Sequence, residues 1–321
     1  MPVVETSSFK PVWWLRNPHA QTIWPAVFRR IPKPAWKRER IELSDGDFID
    51  ADWSTVGAKR LVVVTHGLEG NSRQTYVTGM VRAFNRRGWD ALAWSFRGCS
   101  GTPNRLPKAY HSGACEDLQA VIDIALAQKK YDRVAVVGFS LGGNLTLKYL
   151  GELGTNPGIV CGGIGVSVPC DLRASAEHMA RPECAFYMRR FLKEMGKRIE
   201  AKRRQFGDRI TSADFQAMRT FKEFDDAYTA PLHGFLDAHD YWAKCSASRF
   251  LPSIRIPTLI INAQDDPFLA PACHPWEAAR NSDCVHLDAP AHGGHVGFVG
   301  RGQATGEYWS ESRAAEFLEE T

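Results

Sequence analysis

The chain has no CxxC pair and no Cys/His spacing of the zinc-site kind. Its 8 cysteines, at 99, 115, 161, 170, 184, 245, 273 and 284, are scattered. That distribution excludes a disulfide scaffold and a structural zinc module, and the cysteines read as reduced, mostly buried thiols. Long hydrophobic runs are equally scarce: stretches such as Leu61–Val64 fall far short of the ~18–20 apolar residues a transmembrane helix needs. The start, MPVVETSSFKPVWW, lacks a basic opening followed by an apolar core and a small-residue cleavage site, so a cytoplasmic location is expected. Charge of one sign is in short supply too. The 40 Lys and Arg against 36 Asp and Glu leave +4, which argues against nucleic acid as a partner. Internal repeats and low-complexity segments are missing. With 44% hydrophobic and 24% charged residues, the composition excludes a disordered, collagenous or coiled-coil chain.

What is present is a strand–helix rhythm. Arg40–Trp53 reads as two strands around a turn at Ser44–Asp47. Leu61–Thr65, Trp89–Ser95, Arg133–Gly138 and Ile159–Val168 are short runs rich in apolar or small residues, as buried parallel strands are. Between them Arg73–Arg87, Asp117–Lys130 and Leu141–Leu150 are helix-compatible; Leu118, Val121, Ile122, Ala125 and Leu126 keep helical spacing. The alternation predicts an α/β fold with a mostly parallel central sheet and helices on both faces. It breaks after Val168 and resumes only at the strand Thr258–Asn262, followed by a last strand near Cys284–Asp288, the loop Ala289–Gly297 and a helix near Glu307–Glu320. A gap that long is too large for a loop inside an α/β unit and reads as an inserted helical cap. The expected organisation is an N-terminal extension over 1–38 packing on the core, a catalytic α/β unit over 39–168 and 251–321, and a cap over 169–250.

Two basic clusters interrupt the even charge. Arg29, Arg30, Lys33, Lys37, Arg38 and Arg40 lie near Trp13, Trp14, Trp24 and Trp36; a second run holds Arg189, Arg190, Lys193, Lys197, Arg198, Lys202, Arg203 and Arg204. They read as a solvated basic loop and helix face, or as peripheral contact with an anionic membrane surface.

Gly138-Phe139-Ser140-Leu141-Gly142 has the G-x-S-x-G form of a nucleophile elbow. The five-residue pattern arises by chance in roughly one such chain in eight, so context decides. Here it joins the strand Val134–Val137 to the helix-compatible run LGGNLTLKYL, where small flanking residues let a strained turn lift a serine hydroxyl above the sheet. A serine hydroxyl needs a base, itself oriented by a carboxylate, and in this architecture acid and then histidine follow later strands. Asp265 and Asp266 follow TLIINAQ; Asp266 is preferred because it leads into Pro267-Phe268-Leu269, an apolar anchor for such a loop. His292 and His295 both stand in the final loop, and position alone leaves either as the base. The developing oxyanion needs two preorganised donors, expected from the backbone N–H groups of Leu68, in His66–Gly70, and Leu141. His66 is expected to hold its loop. A serine at the elbow leaves hydrolysis of an ester, thioester or amide through an acyl-enzyme, or transfer of the acyl group to an alcohol; a catalytically silent fold that binds a hydrophobic ligand is the remaining alternative.

Seven segments carry a resemblance over nearly the whole chain: NPHAQT (17–22), THGLEG (65–70), SFRGCSG with PNRLPKAYHSG (95–113), GFSLGGN (138–144), APLHGF (230–235), INAQDDPF (261–268) and GGHVGF (293–298). Together they resemble the α/β-hydrolase branch of the bacterial YheT-like hydrolases and the eukaryotic abhydrolase-domain lipases and ethanol acyltransferases. The resemblance implies a triad of Ser140, Asp266 and His295, no metal or organic cofactor, and a small-molecule acyl ester as substrate, such as an acylglycerol or a medium-chain fatty ester. The SFRGCSG and HSG segments are expected to form glycine-held turns or to line the pocket.

Overall fold

The structure, a computed structural model, describes residues 2–128, 130–301 and 306–321. After helix α1 (Pro18–Phe28), β1 (Lys37–Glu42) and β2 (Phe48–Ser54) form a hairpin. Strand–helix units follow: β3 (Arg60–Thr65), α2 (Thr75–Arg86), β4 (Asp90–Ser95), α3 (Cys115–Ala127), β5 (Arg133–Phe139), α4 (Leu141–Leu153) and β6 (Val160–Val166). Helices α5 (Leu172–Met179), α6 (Ala185–Phe206), α7 (Phe221–Phe224), α8 (Ala230–His233) and α9 (Ala238–Cys245) precede β7 (Thr258–Ile261). The chain closes with α10 (Trp276–Arg280), β8 (Val285–Asp288) and α11 (Trp309–Glu320).

The strands form one sheet in the order β1-β2-β4-β3-β5-β6-β7-β8. β2 runs antiparallel to both β1 and β4, and the other neighbours are parallel. Alternation along each strand decides what covers the sheet. Leu61 and Val63 of β3, with Val134 and Val136 of β5, join a core that includes Leu118 and Val121 of α3 and Leu145 of α4. Val62, Val64, Ala135 and Val137 face the other way, onto Val77 and Phe84 of α2 and Ala315 and Leu318 of α11. Because both faces are covered, the central strands are apolar throughout. The direction of winding reverses between β3 and β5, so a crevice opens beyond their carboxyl ends.

Two expectations shift. The helix expected over Asp117–Lys130 spans Cys115–Ala127, and Lys129 lies outside the described residues. β1 begins at Lys37, inside a stretch that reads as a basic loop and at the end of the expected extension. Its alternating charges are cross-strand pairs: Arg38 binds Asp52 at 2.8 Å and Arg40 binds Asp50 at 2.8 Å. Arg29 is not solvated either. It is buried in a two-pronged contact with Glu311, at 2.5 and 2.8 Å, and stacks over Tyr308.

The N-terminal residues strap the far side of the sheet. Val3 bridges Leu287 of β8 and Pro11 bridges Gly300. Among the described residues no helix is long and apolar enough to cross a membrane.

Candidate active site

Ser140 sits between β5 and α4 at φ 52°, ψ −120°, a conformation strained for any residue with a Cβ. Neighbouring backbone allows it to persist. Its N–H donates to Val166 O at 2.8 Å, and its carbonyl accepts from Asn144 N–H at 3.0 Å. Gly142 cannot carry a side chain, because a Cβ there would collide with the His66 carbonyl and with Thr65. The absent side chain lets the start of α4 press against the end of β3. A Cβ on Gly67 would likewise lie 3.2 Å from that of Ser140, so the His66–Gly70 loop lies directly beside the serine.

The two carboxylates and two histidines form two separate pairs. His295 Nδ1 contacts Asp266 Oδ2 at 2.8 Å and Oδ1 at 3.1 Å, while its Nε2 lies 3.0 Å from Ser140 Oγ. His292 Nδ1 contacts Asp265 Oδ2 at 3.1 Å and does not join the serine. Asp265 instead tethers the loop, accepting from Gly294 N–H at 3.0 Å; burial raises its pKa. Asp266 is fully enclosed, and its Oδ1 also accepts the Phe268 N–H at 2.9 Å. The Phe268 ring stacks on His295 with centroids 4.1 Å apart. That contact limits imidazole rotation to orientations that keep both of its hydrogen bonds.

His66 is wholly buried, and burial pushes its pKa down to about 3, so it is neutral. Nε2 accepts Phe96 N–H at 3.0 Å, which leaves Nδ1–H to donate to Gly67 O at 2.7 Å. It holds its loop, as expected, and makes no contact with Ser140. Among the described residues, the N–H groups of Leu68 and Leu141 have no acceptor within the chain, and both residues line the same cavity as Ser140 and His295. Leu141 is the first residue of α4, where N–H groups point outward with the positive end of the helix dipole. The adjacent Glu69, at φ 55°, is anchored on both sides. Its N–H donates to Tyr110 Oη at 3.0 Å, and its carboxylate accepts from Tyr110 at 2.7 Å and from Arg198 of α6 at 2.8 Å.

The cavity holds about 150 Å³ and is mainly apolar, walled by Leu68, Met179, Met195, Ile199, Phe224 and Phe268. His111 and Ser112 of the HSG segment line it, as does His233 of APLHGF. Arg97 of SFRGCSG does not: it is buried among Asp117, Asp45 and Asp47, at 2.6, 2.7 and 3.3 Å, and holds structure. A π-helical segment, Asp225–Thr229, joins α7 to α8 along this wall. Among the described residues, no group of three or more His, Cys, Asp or Glu could hold a metal ion.

Sequence reading assigned no role to the NPHAQT segment, and the structure supplies one. Asn17 caps α1 by accepting from His19 and Ala20 N–H at 2.9 and 3.1 Å, with Pro18 in the first turn. Gln21 is fully buried and binds both backbone groups of Val299, at 3.1 and 2.9 Å. Thr22 Oγ1 donates to Pro18 O and accepts the N–H of His295 at 2.9 Å. The helix thus supports the loop that carries His295. That loop needs support, since Val296 and Phe298 have φ of 56° and 49°. Such non-glycine conformations cost roughly 1–3 kcal/mol each. Ser167 adds a further tie by accepting Val296 N–H at 2.9 Å. The signal available in the sequence was an N-cap, Asn17-Pro18, opening a short helix that carries the polar residues Gln21 and Thr22.

Comparison with known proteins identifies the family and the fold. Residues 60–301 match the family model described as the alpha/beta hydrolase fold. The chain is 38% identical to "Putative esterase YheT" of Escherichia coli (strain K12), covering 98% of this chain and 93% of that protein. It is 27% identical to "Phospholipase ABHD3" of Mus musculus, covering 93% and 74%. Among solved structures, the Pyrococcus furiosus esterase Pf2001 superposes with a TM-score of 0.61 at 17% identity, covering 99% of this chain and 98% of that one, which speaks to the fold. The chain belongs to the alpha/beta hydrolase fold family, in the branch that holds its YheT and abhydrolase-domain relatives.

Proposed function

We propose that the protein hydrolyses carboxylic esters of acyl chains through an acyl-Ser140 intermediate, with His295 as base and acid and Asp266 as its orienting carboxylate. The observation that carries this reading is the continuous contact Asp266–His295–Ser140, at 2.8 and 3.0 Å, on a serine held at φ 52°. His295 Nε2 takes the Ser140 proton as Oγ attacks the ester carbonyl; Asp266 accepts the Nδ1 proton's hydrogen bond and stabilises the resulting imidazolium. The oxyanion forms against the N–H groups of Leu68 and Leu141. Collapse of the tetrahedral intermediate breaks the ester C–O bond, and the alkoxide leaves with the proton held on His295. A water molecule deprotonated by the same imidazole then releases the acid and restores Ser140.

The apolar walls favour an acyl chain over a charged substrate. The names of relatives, including "Monoacylglycerol lipase" of Saccharomyces cerevisiae, support esters of the lipase type. Helices α5 to α9 act in this reading as the cap, whose side chains set chain length, while 39–168 and 251–321 supply the chemistry. In the test, wild type hydrolyses short and medium p-nitrophenyl esters and is labelled at Ser140 by a fluorophosphonate. Ser140→Ala abolishes both; hydrolysis retained by a clean Ser140→Ala preparation overturns the reading.

A further inference from the structure

The same helix that supports the His295 loop has an outer face left exposed among the described residues. Ile23 and Val27, one turn apart on α1, are exposed, and Phe28 is 56% exposed. The 3₁₀ turn Trp13–Leu15 lies beside this face, since Trp13 is 75% exposed and Trp14 packs edge-on against Trp24, which in turn meets Phe28 at a tilt. Near the α1 N-terminus a further exposed ring, Phe186 at 65%, packs edge-on against the buried Tyr187, which hydrogen-bonds His19 at 3.0 Å. Exposed tryptophans and phenylalanines gathered on one turn and the helix after it are not the ordinary surface of a monomer.

The charges around this face have been sorted by the fold. Of the first basic cluster, Arg29, Arg38 and Arg40 are taken by Glu311, Asp52 and Asp50. Of the second, Arg198 and Lys202 are bound to Glu69 and Asn104 inside the protein. Arg30 and Lys33, just past the end of α1, and Arg189 and Arg190, one turn beyond Phe186, are exposed and have no carboxylate partner among the described residues. The apolar patch therefore has a cationic rim on two sides.

We propose that α1, the Trp13 turn and the start of α6 form a docking surface for an anionic phospholipid bilayer. Tryptophan and phenylalanine seat at the boundary of headgroup and acyl chain, and unpaired arginine and lysine beside them are drawn to anionic lipid. A second copy of the chain fits less well, because a two-fold contact would bring one cationic rim against the other. The inner face of α1 reaches the loop of His295 by three hydrogen bonds, from Thr22 and Gln21. A docked enzyme thus holds its site close to the surface where acyl esters of low solubility collect. This surface is independent of the proposed reaction, and its test does not use turnover of a lipid.

Co-sedimentation of the full chain with phosphatidylcholine vesicles containing a quarter phosphatidylglycerol, at low salt, is the measurement. Wild type is expected to partition into the pellet, and severalfold less with pure phosphatidylcholine. The triple variant Trp13→Ser, Val27→Ser, Phe28→Ser should bind about tenfold or more weakly, because three large apolar side chains no longer leave water on docking. Arg30→Glu with Lys33→Glu should weaken binding to the anionic vesicles by about tenfold and lose that effect at high salt. The charge pair lies outside the core and carries the test even if the triple variant melts early. Wild type that stays in the supernatant overturns the proposal, as do variants that sediment like wild type. It is equally overturned by a solution dimer that the triple substitution dissociates while vesicles bind neither form, since the face then belongs to a second copy.

Discussion

The buried and exposed ends of one loop hold two histidine–aspartate pairs built from the same residues. His295 meets Asp266 and His292 meets Asp265, at 2.8 and 3.1 Å. The carboxylates are adjacent in sequence, and the imidazoles are three residues apart. Yet the His295 side chain is 9% exposed and stacks under Phe268, whereas that of His292 is 44% exposed and has no serine in reach. The two pairs differ in what surrounds them, and only the inner one meets a serine. Desolvation strengthens the inner pair, and ties from Thr22 and Ser167 fix its loop; the outer pair is a loop tether in water.

Parallel substitutions break this comparison most directly. His295→Ala should lower kcat on a p-nitrophenyl ester by about 10⁴-fold or more, and His292→Ala by less than about threefold. Asp266→Asn should cost about 10⁴-fold, because the amide no longer accepts the Nδ1 proton's hydrogen bond and the tautomer is wrong. Asp265→Asn should cost about tenfold or less through its tie to Gly294. Comparable losses at the two ends of the loop would show that the roles are shared or reversed.

Thr22 tests whether the inner pair depends on support from a distant part of the chain. Thr22→Val keeps the shape but removes the acceptor for His295 N–H. We expect kcat to fall by about 3–10-fold with KM little changed, and Thr22→Ser to restore most of the loss. Equal effects of Val and Ser, tracking the melting temperature, would mark the residue as merely structural.

Local patterns were legible and distant partnerships were not. Buried strands announced themselves as short β-branched runs, and the serine as a strand–turn–helix junction with glycines on both sides. Chain order alone narrowed the acid and base to two candidates each, and the resemblance made the choice between histidines. The bond from Thr22 to His295 joins opposite ends of the chain, and no period or spacing records such a contact. Charge misled for the same reason. Arg29, Arg38, Arg40 and Arg198 look alike in a basic run, and only their tertiary partners separate buried ion pairs from a free cationic rim. Within the inserted helices, apolar residues face either the cavity or one another, and helical spacing cannot tell these apart.

Asp225 sharpens the comparison by showing a buried carboxylate without an imidazole. It lines the cavity, accepts from Trp242 Nε1 at 2.8 Å and Thr229 Oγ1 at 2.6 Å, and has no ion-pair partner among the described residues. Burial raises its pKa to about 7, against an ordinary value near 3.8. Because the folded pKa lies above the unfolded one, the native state binds the extra proton between about pH 4 and 7. Stability contributed by this group is therefore complete below that window and is lost as pH rises through it. Asp225→Asn keeps the size and removes the charge. Its melting temperature should match wild type near pH 4 or lie slightly below it, and should exceed wild type by about 2–4 °C at pH 8.5. In a plot of melting temperature against pH the gap should open progressively between about pH 4 and 7 and stay constant above that. A constant difference across that range would mean that the carboxylate is already balanced when charged, and its contrast with the hydrogen-bonded Asp266 would disappear.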